Sequence, residues 1–186
     1  MTYISTSFLF AAAYFYLPGG LANIGANLGK YAPFIKRLDY PIDSGKYFRG
    51  RRIIGQHKLW SGFLFGIIVG MISGMIKYLF LDTVFSDFKI LNLSFLENFL
   101  LSFLLSCGAV TGDLIKSFVK RQLGIAVHSP WIPFDEIDHT TVSLLLTKLF
   151  FNISWKLILT AILVVAVLHF ISNLIAYLFH IKKVPY

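Results

Sequence analysis

Charge is scarce in this chain of 186 residues. Asp, Glu, Lys and Arg make up 14% of it, against about 25% in an ordinary soluble domain, while 56% is hydrophobic and 17% aromatic. That balance excludes a water-soluble body. It also removes the usual setting of a basic nucleic-acid module, so no nucleic-acid partner is expected. Acids are scarcer still: nine Asp and Glu stand against 17 Lys and Arg, for a formal net charge of +8. Cysteine occurs once, as Cys107, which excludes an intramolecular disulfide and a cysteine-built metal site. In its apolar run it reads as a packing residue. No basic stretch precedes the first apolar segment, as it would in a removable signal peptide, so that segment reads as a retained helix. Internal repeats and low-complexity tracts are absent.

What the chain has is long apolar runs. A membrane crossing takes about 20 residues, and five helices are expected, over residues 4–22, 59–81, 91–119, 135–151 and 156–181. They form one all-α integral-membrane domain, 1–186, with loops 23–58 and 120–134 on one side. Pro18-Gly19-Gly20 near the end of the first run predicts a kink or break, because proline removes a backbone donor. Gly62, Gly66, Gly70 and Gly74 recur every fourth residue and give the second helix a smooth strip.

The loops decide the sides. The first holds eight basic residues, Lys30, Lys36, Arg37, Lys46, Arg49, Arg51, Arg52 and Lys58; Lys116, Lys120 and Arg121, then Lys182 and Lys183, fall on the same side. Only Lys77, Lys89, Lys148 and Lys156 fall on the other. By the positive-inside rule the N-terminus is expected outside, the C-terminus inside, and the charged side in the cytoplasm of a multi-pass cell-membrane protein.

The most informative stretch runs from Gly108 to Gly124. At 3.6 residues per turn, Asp113, Lys116, Ser117, Lys120 and Arg121 fall within an arc of about 140°, while Leu114, Ile115, Phe118 and Val119 are apolar. Lys120 and Arg121 taken alone fit side chains that snorkel to membrane-lipid phosphates. Asp113 does not: an acid one turn deeper is costly unless it faces a wet cavity or a metal. Asp135 and Asp138 are one turn apart at the start of the fourth helix, behind Pro130, Trp131 and Pro133. Two readings of them are open. Acids favour a helix N-terminus and can cap it; with Asp113 they can also make a carboxylate site for Mg²⁺ against a polyphosphate. Glu136 lies on another face and is the weaker candidate.

In the first loop, Gly45, Gly50 and Gly55 permit tight turns, and Phe48, Ile53 and Ile54 are expected to be buried in a folded loop. A polybasic headgroup-binding segment is the other reading of its charge. No P-loop or dinucleotide fingerprint is present. His57, His128, His139, His169 and His180 show no metal-ligand spacing; His169 and His180 read as packing or interface residues. Asn23, beside the Pro-Gly-Gly break, can cap the helix or donate to a ligand.

Four stretches then resemble the archaeal CDP-archaeol synthases, relatives of the CDP-diacylglycerol synthases. They are Pro18 with Asn23; Pro41-Ile-Asp-x-Gly-Lys46 with Gly-Arg-Arg-x-x-Gly-x-x-Lys-x-Trp-x-Gly from Gly50 to Gly62; Gly-Asp-Leu-Ile-Lys-Ser-Phe-Val-Lys-Arg-x-Leu-Gly-Ile from Gly112 to Ile125; and Pro130-Trp with Phe134-Asp-x-x-Asp138. Gly19-Gly20, Leu59 and Ser61 depart from the family pattern, and the Gly-His-Gly-Gly segment of the bacterial relatives is missing, which favours the archaeal branch.

The resemblance implies a cytidylyltransferase that joins CTP to an isoprenoid glycerol ether phosphate, 2,3-bis-O-geranylgeranylglycerol 1-phosphate, releasing pyrophosphate. It implies Mg²⁺ on Asp113, Asp135 and Asp138. Lys116, Lys120 and Arg121, with Lys46, Arg51, Arg52 and Lys58, are then expected on the phosphates. Asn23, Asp43, His57 and Ser117 are further binding or loop-ordering candidates. Lipid tails are expected between helices, in a groove left by Gly62, Gly66 and Gly70. The competing readings are an ester-lipid CDP-diacylglycerol synthase, a polybasic scaffold, and a small transporter, which the one-sided charge and lack of repeats disfavour.

Overall fold

The computed structural model describes residues 6–126 and 129–179. His128, His180, Lys182 and Lys183, with the outer ends of the expected first and last helices (4–5 and 180–181), lie outside the described residues. Five long helices run alternately up and down: α1 (Thr6–Leu28), α2 (Trp60–Ile76), α3 (Phe95–Gln122), α4 (Phe134–Lys148) and α5 (Trp155–Leu178). Among the described residues four helical stretches are long and apolar enough to cross a membrane: Thr6–Tyr31, Trp60–Val84, Phe95–Gln122 and Trp155–Ile175. At 15 residues, α4 falls short of the usual span.

The first helix differs from expectation. It passes through Pro18-Gly19-Gly20 without ending and continues to Leu28. Tertiary packing explains this: Pro18, Ala22, Gly25 and Gly29 are buried, and the chain beyond Pro18 is held along α2. The contact is close enough that a Cβ on Gly66 would stand 2.7 Å from the Ala22 carbonyl oxygen and one on Gly62 would stand 2.5 Å from that of Ala26. The other edge of the strip meets α3, where Gly66 faces Val110 and Gly70 faces Ser106. The glycine strip therefore holds no lipid groove; α1 and α3 fill it.

The remaining boundaries have local causes. Beyond Ile76 the second helix continues through a π-helical turn, Lys77–Leu81, into a last turn, Asp82–Val84. There Asp82, itself buried, accepts from Tyr14 (2.7 Å) and Lys77 (2.9 Å), tying the far end of α2 to α1. Glu97 belongs to a capping box: it accepts from the Ser94 backbone N–H at 2.7 Å while Ser94 Oγ accepts from its own N–H. That box starts α3 at Phe95 rather than at residue 91. Ser94 has an equivalent in Ser154, which caps α5 through the Leu157 N–H.

Tyr16, Leu105, Leu144, Leu157 and Ile158 are almost fully buried and join α1, α3, α4 and α5 in one core. α3 and α4 approach at Gly108, beside Ser143, and at Gly112, beside His139. That antiparallel seam brings the end of α3 against the start of α4. The loop before α2 folds over the same end. Ile42 donates to the Lys58 carbonyl (2.9 Å) and Trp60 to that of Tyr40 (3.2 Å). Between them lies a small antiparallel hairpin, β1 (Tyr47–Phe48) and β2 (Arg51–Arg52). Its two-residue turn needs positive φ at Arg49 (+51°) and Gly50 (+74°). Ile53 and Ile54 are half-buried, but Phe48 is exposed, with its ring 6.4 Å from that of Phe118.

Candidate active site

The last three turns of α3, the start of α4, the ends of α1 and α2 and the folded loop enclose a cavity of about 370 Å³. Helical periodicity puts Asp113, Lys116, Ser117 and Lys120 on its wall, and Arg121 joins them. The loop contributes His57 and Lys58, and α4 contributes Asp135.

Three carboxylates surround one ammonium group. Nζ of Lys116 is 3.2 Å from Asp113 Oδ1, 3.5 Å from Asp135 Oδ1 and 3.0 Å from Asp138 Oδ2. Lys58 bonds the other oxygen of Asp113. Lys120, buried, donates to both oxygens of Asp135 (3.0 and 3.1 Å) and to the Ser129 carbonyl (2.6 Å). Asp135 also accepts from the Trp131 backbone N–H at 2.6 Å. Its carboxylate therefore holds the approach to α4 as well as facing the cavity, and Pro133, at the N-cap, gives α4 no side-chain cap.

Among the described residues no three acidic, imidazole or thiol groups stand in metal-binding geometry. The position the carboxylates share is filled by Lys116. Their chemistry nonetheless suits a hard divalent cation: all donors are oxygens, and they already converge on a positive charge.

Other candidate residues, all but Ser117 outside the cavity wall, order its surroundings. Asp43 accepts from the backbone N–H groups of Gly45 (3.0 Å), Ile54 (3.1 Å) and Gly55 (2.8 Å) and forms a two-pronged bond with Arg52, through Nε to Oδ2 and Nη2 to Oδ1, both at 3.0 Å. Burial pushes this carboxyl up, but the Arg52 bond and the Gly55, Gly45 and Ile54 donors outweigh it and hold Asp43 well below the usual carboxylate range. Arg51 donates to the Gln122 carbonyl at the end of α3 and lies against Gly124. Asn23 sits within α1, its carbonyl accepting from Asn27 at 3.0 Å. Ser117 donates to the Asp113 carbonyl at 2.8 Å. Lys46, in the loop before the hairpin, is exposed.

Sequence reasoning passed over the support behind Asp138. His139, buried, stands with Nδ1 3.1 Å from Asp138 Oδ1, and its ring lies between Tyr16 (6.0 Å) and His169 (5.8 Å). His169 in turn stands 2.6 Å from Glu136. The one available signal was the apolar depth of His169. Asn27 and Lys30 also line the cavity, and neither belongs to a motif.

The chain is similar over most of its length to known proteins of one family. The family described as CarS-like, CDP-archaeol synthase, matches residues 5–186. A CDP-archaeol synthase of Methanocaldococcus jannaschii is 34% identical over 179 residues, covering 95% of this chain and 96% of its own. That of Archaeoglobus fulgidus is 37% identical over 152 residues, covering 78% and 84%. A solved intramembrane enzyme of archaeal membrane-lipid biosynthesis superposes with a TM-score of 0.64 at 26% identity, covering 87% of this chain and 92% of its own.

Proposed function

The chain belongs to the CDP-archaeol synthase family, and from that premise we propose how its cavity carries out the reaction. The protein is a membrane nucleotidyltransferase of archaeal lipid synthesis: CTP and an isoprenoid glycerol ether phosphate give the CDP-activated lipid and pyrophosphate. The convergence of Asp113, Asp135 and Asp138 on Nζ of Lys116, a residue of the cavity wall, carries this reading.

A phosphate monoester with a second pKa of about 6 is largely ionised at neutral pH, so the lipid nucleophile needs no strong base. One of its oxygens attacks the α-phosphorus of CTP. The bond from that phosphorus to the β-bridging oxygen breaks, and pyrophosphate leaves with the electron pair. The protein's task is to bring two anions together. Lys58, Lys116, Lys120 and Arg121 supply the positive charge along the cavity wall, and binding the triphosphate draws the three lysines off the carboxylates that now hold them and Arg121 off the Ala126 carbonyl. Lys46, Arg51 and Arg52 act from the loop, Arg52 with Asp43 by fixing the hairpin's place. His57 and Ser117, on the cavity wall, complete the nucleotide side.

Mg²⁺ is the expected cation, with Asp113, Asp135 and Asp138 to hold it; when bound it neutralises phosphate charge and stabilises the pyrophosphate leaving group. His139 keeps Asp138 oriented toward the site. The bundle sits with the N-terminus outside and the cavity toward the cytoplasm, as the loop charge favours, and α4 counts as a fifth pass.

The test is detergent-purified protein with Mg²⁺, CTP and either the isoprenoid ether phosphate or phosphatidic acid, following pyrophosphate release. Release with the ether lipid is expected. No release with either lipid, from protein shown to be folded, overturns the assignment, and release with phosphatidic acid alone reassigns the tails.

A further inference from the structure

Five lysine and arginine side chains line the cavity, and the protein's own oxygens hold four of them. Lys58 is held by Asp113, Lys116 by three carboxylates, Lys120 by Asp135 and Ser129, and Arg121 by the Ala126 carbonyl at 3.1 Å. The fifth is Lys30. Among the described residues its contact is the ring of Tyr31, 4.9 Å from Nζ, and no carboxylate or carbonyl engages it.

Its place differs as well. Lys30 lies in the single 3-10 turn, Gly29–Tyr31, that follows α1, at the end of the helix where exposed side chains turn apolar. Ile24, Leu28, Tyr31 and Phe34 are all at least half exposed. On the cavity wall its neighbours along the chain and across the helix contact are apolar too: Ala26, one turn earlier, and Phe63, next to the Gly62 against which Gly29 packs. A cation with apolar surface on both sides is what an amphipathic anion requires: its tails stay in hydrocarbon while its phosphate meets positive charge. Asn27, one turn earlier on the same wall, spends one amide hydrogen on the Asn23 carbonyl, and its side chain has a second.

We propose that Lys30, with Asn27, seats the phosphate monoester of the lipid substrate, leaving the cluster of Lys58, Lys116, Lys120 and Arg121 to the nucleotide. The inference rests on the reaction assigned above and adds to it a division of the cavity. The lipid phosphate binds at the membrane edge, the triphosphate at the polar end, and the attacking oxygen reaches the α-phosphorus between them.

The test is binding to protein in nanodiscs of neutral lipid, with three probes: the isoprenoid ether phosphate, the same lipid without its phosphate, and CTP. One basic residue near the membrane surface is worth about 1 kcal/mol toward an anionic headgroup, or about fivefold in affinity. Lys30→Gln is expected to weaken binding of the lipid phosphate by about that factor while binding of the unphosphorylated lipid and of CTP stays as in wild type. Lys30→Arg is expected to restore it. In turnover Lys30→Gln raises KM for the lipid phosphate and leaves kcat and KM for CTP unchanged. A loss of CTP affinity with lipid affinity intact places Lys30 in the nucleotide site, and unchanged affinity for both places the seat elsewhere; either overturns the inference. Wild-type turnover, measured alongside, keeps the two readings apart, since Lys30-dependent lipid binding without pyrophosphate release overturns the reaction and leaves the seat standing.

Discussion

Nζ of Lys116, on α3, lies 3.0 Å from Oδ2 of Asp138, on α4, and the same ammonium touches Asp113 and Asp135. A side chain of the protein thus holds the centre of its own carboxylate cluster. Lys116→Met removes that charge and leaves three acids facing one another. Affinity for Mn²⁺ in the absence of nucleotide, read by electron paramagnetic resonance, is expected to rise several-fold, while turnover falls by about 10²-fold or more. Unchanged Mn²⁺ affinity would mean that the carboxylates and a metal do not compete with this lysine.

The carboxylates themselves are separable by what else they hold. Asp113→Asn and Asp138→Asn are expected to lower turnover by about 10²–10³-fold with little change in thermal stability. Asp135→Asn lowers turnover too, but it also loosens the approach to α4 through Lys120 and Trp131, so cleavage by a protease between residues 123 and 133 should increase in this variant alone. Full activity in all three would remove the carboxylates from the mechanism.

Asp43 makes its contribution through the loop. Its carboxyl has a lowered pKa in the folded chain, so the stability it adds is complete above the ordinary carboxylate value of about 3.9 and is lost as pH falls below that toward the lower folded value. The hairpin is therefore expected to stay intact at mildly acidic pH in wild type. Asp43→Ala leaves three backbone donors without their acceptor, at a cost of about 1–3 kcal/mol. Trypsin should then cut readily at Lys46, Arg49 or Arg51 at neutral pH, and equal resistance of variant and wild type would refute the role.

Two glycines test the close helix contact. A methyl group on Gly62 meets the Ala26 carbonyl at 2.5 Å, whereas one on Gly20 meets nothing within 4 Å. Gly62→Ala is expected to cost about 1–3 kcal/mol and, because Gly62 lines the cavity, to reduce turnover. Gly20→Ala should leave both unchanged or slightly raise thermal stability. Equal melting temperatures for the two variants in detergent would contradict the packing described.

Much of the site is legible in the chain because its residues are out of place there. Asp113 announces itself as an acid in an apolar run, and Asp135 and Asp138 by their spacing of one turn. The glycine strip is equally plain, but what fills it is not. The near-contact of Gly62 with Ala26 depends on α1 continuing past Pro18, which local propensity argues against and burial along α2 enforces. The pairing of Tyr14 with Asp82, 68 residues apart, has no signature in either segment. Lys30 stays hidden for a different reason: in a loop with eight basic residues, only its place on the cavity wall, beside cations that are already held, singles it out.

The shortness of α4 has a consequence for the bilayer. Fifteen residues reach about 22 Å, against a hydrocarbon layer of about 30 Å. The far end of α4 is anchored at Lys148, which donates to the Ile153 carbonyl at 2.7 Å and lies over the ring of Trp155, an aromatic suited to the headgroup level. In the topology proposed above, with that end at the headgroup level, Asp135 and Asp138 would lie several ångströms beneath the opposite surface. A mismatch of this size would be met by a locally thinner leaflet, which would bring water and lipid headgroups down to the carboxylates. Catalytic rate in reconstituted vesicles should accordingly vary with acyl-chain length, being highest in thinner membranes, which makes membrane thickness a determinant of activity alongside the two substrates.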